Sequence, residues 1–250
     1  MTTRLMTLNV NAHSEQYGPW SERRPLIVEA IHAARPDVIA LQAVAVDPSA
    51  AGGLNQAVQL ARDVGDDRYA VIYRCAERRA DGCELGLAFL ARPAPLAMHT
   101  YPLSRREGGE DPSPRVLLHA TFAAPGGELQ VFNAHFSWVP AQAHDNVTDA
   151  LARLRGVTGT IAVLGDLNQG PDSEALVRLR AAGLTDAWAA LQPEMPGLSF
   201  ALHGAPAKRI DYLLVDATSA PRLRAARLLL DAPGMRRASD HAALVVDLDV

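Results

Sequence analysis

The chain has 250 residues, 48% hydrophobic and 21% charged, a globular mixture that excludes disorder and supplies a continuous core in one or two domains. A formal charge of -4 gives no global pull toward nucleic acid or an anionic membrane, although a local basic rim can still hold a phosphate. Two cysteines exclude a disulfide framework, and neither a leader-like segment nor a run of about 18 apolar residues is present, so a cytoplasmic protein with no membrane span is expected.

Strand-like and helix-like segments alternate along the whole chain, the pattern of an α/β protein. Residues 5–10 read as a buried strand, followed by a helix over 25–34 with Ser21 as a start signal and Pro36 as the stop, and a strand over 38–41. Residues 54–64 are amphipathic at helical spacing, and 69–73, 85–90, 116–122 and 129–134 read as strands, the last two joined by a Pro125-Gly126-Gly127 reversal. The segment 105–114, rich in Gly, Asp, Ser and Pro, is expected to be a mobile loop. Helices over 146–154 and 173–182 flank a strand over 161–164, and strands over 210–215 and 243–250 follow an irregular stretch. With no linker or repeat between these elements, a single domain over 1–250 is the simplest organisation.

Candidate chemistry sits at strand ends, where a rigid sheet can aim distant residues into one cleft. Asn9 is an amide in an apolar strand, equally a structural amide or a ligand. His135 ends the strand Val131-Phe132-Asn133-Ala134. In Gly165-Asp166-Leu167-Asn168 a carboxylate and a carboxamide two residues apart can face one cation or phosphoryl group, or simply make a turn. Asp211 interrupts a strand of Ile, Leu and Val and must be functional or paired, with Arg209 and Lys208 as the nearest cations. Asp240-His241 places a carboxylate beside an imidazole, the natural proton carrier near neutral pH. The basic candidates Arg74, Arg78, Arg79, Arg105 and Arg106 are read first as solvated charges. Trp138 is read first as a core cap and otherwise as a stacking platform, with His144, Trp188 and His203 as further rim candidates.

The order of these motifs along residues 5–247 resembles the endonuclease/exonuclease/phosphatase superfamily of metal-dependent phosphoester hydrolases. The resemblance implies a four-layer α/β sandwich with two packed sheets, helices outside and one site where strand ends converge. It implies that Asn9, Asp166, Asn168 and Asp240 surround the scissile phosphate and a magnesium or manganese ion, with Asn9, Asp166 and Asp240 as metal ligands and Asn9 and Asn168 as substrate contacts. It also implies that His241 with Asp211 activates water, that His135 donates to the phosphoryl or leaving oxygen, that Glu84 orients His135, and that Arg115 contacts phosphate, a less specific match.

One position departs from the pattern: the family usually reads Leu-Gln-Glu at the end of the second strand, its glutamate a direct metal ligand, and this chain has Leu41-Gln42-Ala43. Engineered inactivation and natural variation both account for Ala43, and either is expected to weaken metal binding and turnover. The expected activity is hydrolysis of a small or lipid-derived phosphoester by a monomer, nucleic acid being the less favoured substrate. The alternative is a non-catalytic protein that holds a phosphorylated ligand.

Overall fold

Alternation of side chains along the strands sorts this sequence into two sheets with three separate apolar layers. The computed structural model describes residues 1–65, 69–231 and 238–250. The first sheet contains β1 (Thr2–Asn9), β2 (Val38–Val46), β3 (Ala70–Arg78), β4 (Glu84–Ala91), β11 (Leu223–Leu229) and β12 (Ala243–Asp249), in the order β11-β12-β1-β2-β4-β3. The second contains β5 (Pro95–Pro102), β6 (Val116–Ala124), β7 (Gly127–His135), β8 (Thr160–Asp166), β9 (Leu184–Asp186) and β10 (Asp211–Asp216), in the order β5-β6-β7-β8-β10-β9.

Inward residues such as Leu5, Val38, Leu87, Phe89, Phe122, Val131 and Leu164 fill the space between the sheets. Outward residues of the first sheet meet α1 (Trp20–Ala34) and α2 (Gln56–Asp63), and those of the second meet α3 (Pro140–Leu154) and α4 (Glu174–Ala181). The result is the expected four-layer sandwich. α1 buries Arg23, Ile27, Ala30, Ile31 and Ala34, a stripe at helical spacing, and ends on Arg35 in the left-handed region at φ 51°. α3 starts six residues before the expected boundary, because Pro140 suits a first helical turn whose N–H groups need no intrahelical partner. Among the described residues no helix is long and apolar enough to cross a membrane.

At the middle of each sheet lies one parallel pair: β1 beside β2, linked through α1, and β7 beside β8, linked through α3. Their carboxyl ends run to the same rim, the usual location for ligands in sheets of this kind. Asn9 lies level with Gln42 in the first sheet, and His135, Asp166 and Asp211 lie level in the second. A bulge in β2 sets Gln42 and Ala43 together against β4 between the pairs Leu41–Ala88 and Val44–Gly86. Ala43 takes φ 50° there. The bulge brings position 43 to the rim instead of returning it to the helix-facing side.

Gly165 fixes the spacing on which this rim depends. Its φ is +143°, and a Cβ built there would lie 1.9 Å from the Ala134 carbonyl oxygen on β7. Gly165→Ala is therefore expected to destabilise the protein by about 3 kcal/mol, seen as a fall in Tm of about 10 °C. An unchanged melting curve would show that β7 and β8 can separate at this point.

Three strands and one short helix went unforeseen. β5 has five exposed residues in succession, Leu96 to Thr100, so no alternating pattern marks it. β11 mixes arginine with alanine and leucine, and the short β9–α5 (Ala187–Leu191) unit falls in the stretch read as irregular. The 105–114 segment carries no regular structure, but it is anchored: Asp111 is buried, accepts from Ser137 Oγ at 2.6 Å and pairs with Arg115 at 2.9 Å.

Candidate active site

Asp166 Oδ2, buried at the end of β8, is the point on which the rim converges. It accepts from Asn9 Nδ2 at 2.9 Å and lies 3.4 Å from His135 Nε2 and 3.6 Å from His241 Nε2. Its other oxygen accepts from the Asn168 backbone N–H at 2.9 Å, in a turn where Asn168 adopts φ 54°. The Asn168 side chain donates to the Phe136 carbonyl at 2.9 Å, tying the turn after β8 to the end of β7. Four expected site residues from distant parts of the chain thus meet around one carboxylate.

Asp211 holds His241 through Nδ1, at 2.9 Å from Oδ2 and 3.1 Å from Oδ1, which leaves Nε2 facing Asp166. Arg209 instead pairs with Asp186 at 2.6 Å, so the salt bridge considered for Asp211 goes elsewhere. Asp240 approaches His241 Nε2 to 3.9 Å. Ser199, unremarkable in sequence, donates to Asp211 Oδ2 at 2.6 Å and accepts from the backbone N–H groups of Ile210 and Asp211. Phe200 covers the imidazole with ring centres 4.9 Å apart.

The charges in this site oppose one another. Burial pulls His241 down, but the carboxylates of Asp211, Asp166 and Asp240 outweigh it and raise the imidazole to about 10. Burial pushes Asp166 up to about 6, against the pull of His241. His135 lies well below the usual histidine range because its ring is largely withdrawn from water and faces Arg115 and His241. A histidine raised in the folded state from 6.5 contributes stability that is fully present below pH 6.5 and is lost as pH climbs through about 10. In a chelator-containing buffer, Tm is expected to fall between neutral pH and about pH 10, and less steeply in His241→Gln. Equal slopes in the two proteins would place the titrating group elsewhere.

The carboxylates of Asp166 and Asp211 and a His241 nitrogen lie within 4.8 Å of one another. The carboxylate oxygens of this cluster suit a hard divalent cation that retains several waters. Asn9 Oδ1 already accepts from the Asn11 N–H at 2.9 Å, leaving one lone pair for such a role. These donors fit a divalent cation, and Ala43 adds no carboxylate to them.

Some expected roles are not supported by the geometry. Glu84 pairs with Arg78 at 2.5 Å and makes no hydrogen bond or ion pair with His135 among the described residues. The reason is strand parity: Leu87 and Phe89 point into the space between the sheets, so Glu84 belongs to the helix-facing side with Ala88 and Leu90. Trp138 is 50% exposed, which excludes the core-cap reading. Trp188 is buried and donates to the Met195 carbonyl, and His144 pairs with Glu174. His203 is exposed in the loop before β10. Arg106 pairs with Asp145.

Arg115 is the expected basic residue that does reach the rim. Its side chain is 11% exposed, its Nε is buried without a hydrogen-bond partner, and it lines a cavity with His135 and Ala43. Two supporting networks escaped the sequence reading. Gln42 donates to Asn133 at 2.7 Å, and Asn133 donates to the carbonyls of Leu41 and Ala88, locking one sheet to the other just behind the rim. Arg23, 1% exposed, donates to the carbonyls of Gly18, Val10, Ala12 and Ala238, fastening the loop after Asn9 to the one before Asp240. Neither carries a local signal, because the partners are remote in sequence.

The Endonuclease/Exonuclease/phosphatase family model matches residues 6–241. No curated protein matches the sequence significantly. Among solved structures, an endonuclease/exonuclease/phosphatase from Beutenbergia cavernae is similar over 100% of this chain and 72% of its own, at 24% identity and a TM-score of 0.80. A mannosyl-6-phosphatase from Bacteroides thetaiotaomicron is similar over 99% of this chain and 100% of its own, at 18% identity and 0.74. A 3′ phosphatase from Neisseria, bound to a product DNA hairpin, is similar over 99% of this chain and 100% of its own, at 20% identity and 0.72.

Proposed function

Because the chain belongs to the Endonuclease/Exonuclease/phosphatase family of phosphoester hydrolases, we propose that it hydrolyses small phosphoesters with a divalent cation, using His241 as the base. The observation that carries this reading is the Asp211–His241 pair, whose Nε2 faces the Asp166 carboxylate on which Asn9 and His135 also converge.

His241 Nε2 takes a proton from the attacking water while Asp211 keeps Nδ1 protonated and the ring in place. His135, held neutral by burial and its cationic neighbours, donates to a phosphoryl or leaving oxygen. Arg115 offers its unpartnered Nε to the phosphoryl group, and Asn168 keeps the Asp166 turn closed. Asp166, Asp240 and Asn9 would hold magnesium or manganese, which when bound polarises the phosphoryl oxygen and offsets the carboxylates that keep His241 protonated. The net charge of -4 favours a small substrate over a long nucleic acid.

Hydrolysis of p-nitrophenyl phosphate and bis-p-nitrophenyl phosphate, followed with added magnesium or manganese and after chelation, tests this. Cation-dependent release from at least one of them is expected. Phosphate binding without hydrolysis of either ester, with either metal, would favour a binding protein instead.

A further inference from the structure

Ala43, Ala76, Leu85, Leu87 and Val116 give the rim a largely apolar cavity of about 140 Å³, open at its mouth, into which His135, Arg115 and Glu77 also project. It is smaller than a drug-sized site and admits only a short chain of a few atoms beside a phosphoryl group. Two bulges shape it. The one in β2 brings Ala43 to the rim, and the one in β3 lies between the pairs Cys75–Gly86 and Glu77–Leu85. The extra residue Ala76 reverses the strand's parity. Glu77 therefore stands opposite Leu85, whereas regular alternation would have sent it outward with Tyr73 and Cys75.

Glu77 is not a displaced substitute for the carboxylate missing at Ala43. β4 separates β3 from β2, so the two positions are about 10 Å apart along the sheet. Asp240, just before β12, is four strands from β3, roughly 19 Å. No single cation is shared across that span. The Glu77 carboxylate is only loosely held, 3.8 Å from the half-exposed Arg79. It is an acceptor with spare capacity on the wall of an otherwise apolar cavity that reaches the proposed reaction centre at His135 and Arg115.

From this we infer that the cavity binds the organic part of the substrate, and that Glu77 selects a short apolar group bearing an ammonium: the substrate class is an aminoalkyl phosphoester. This rests on the proposed phosphoesterase reading and names its substrate. The phosphoryl group takes Arg115 and His135, the methylenes pack on Ala43, Ala76 and Leu85, and the ammonium pairs with Glu77. A glutamate at 43 would occupy part of the same space, so Ala43 makes room for the ligand.

Calorimetric titration with inorganic phosphate, propylphosphonate and aminopropylphosphonate, in the presence of magnesium, separates the two levels of the argument. The amine is expected to bind about tenfold more tightly than its alkyl counterpart, as one partly desolvated ion pair allows. Glu77→Gln should bring that ratio to about one with phosphate affinity unchanged, and Ala76→Phe should weaken both phosphonates about tenfold by filling the cavity. A ratio near one in the unmodified protein, or one that survives Glu77→Gln, overturns the selection by Glu77. Phosphonates indifferent to Ala76→Phe overturn the cavity assignment. Failure of phosphate itself to bind overturns the phosphoester site beneath both.

Discussion

His241→Ala is expected to lower kcat/KM for phosphoester hydrolysis about a thousandfold, the middle of the range for a positioned general base. The ring is 4% exposed, held by Asp211 and covered by Phe200, so its Nε2 is fixed in position as the proton acceptor. Asp211→Asn should give a loss of similar size, because the amide keeps the ring in place but favours the tautomer protonated at Nε2 and cannot stabilise the imidazolium. The two changes act on one unit, so the double variant should be scarcely worse than His241→Ala alone. Additive losses would mean that Asp211 acts on something other than His241. Circular dichroism and a melting curve are needed beside the kinetics, since either change leaves a buried partner uncompensated.

The parts of this site that were legible in sequence are those with a local anomaly. Asp211 stood out because a carboxylate inside Ile-Asp-Tyr-Leu-Leu cannot be buried unpaired, and it proved to be buried and bound to His241. Asp166 followed an apolar strand and a glycine whose missing Cβ admits the Ala134 carbonyl. Glu84 shows the opposite failure. Its neighbourhood in sequence fits the family pattern, but parity in β4 turns it toward Arg78 and away from His135. Glu77 was invisible for a related reason: a bulge is a register event between strands, and one strand's sequence does not reveal which residue will be extra. Strands were legible where one face is buried and illegible in β5, whose exposed run has no alternation.

Ala43→Glu is expected to tighten magnesium binding by about tenfold or more and to raise kcat/KM at limiting magnesium by a similar factor, since it adds a carboxylate to a hard-cation site. The substitution is structurally mild. Ala43 already has φ 50°, so an unbranched residue adds little strain, and the position is only partly buried at the rim. Titration of the cation by calorimetry reads the effect without relying on turnover. An unchanged affinity would mean that position 43 does not face the cation. The same variant should bind propylphosphonate more weakly, because the new side chain enters the cavity that the alanine leaves open. The two readouts are thus expected to move in opposite directions. If they do, position 43 exchanges strength of cation binding for room to accept the organic part of the substrate, and its alanine is a determinant of specificity in a working site; if both tighten together, the cavity is not where the substrate lies.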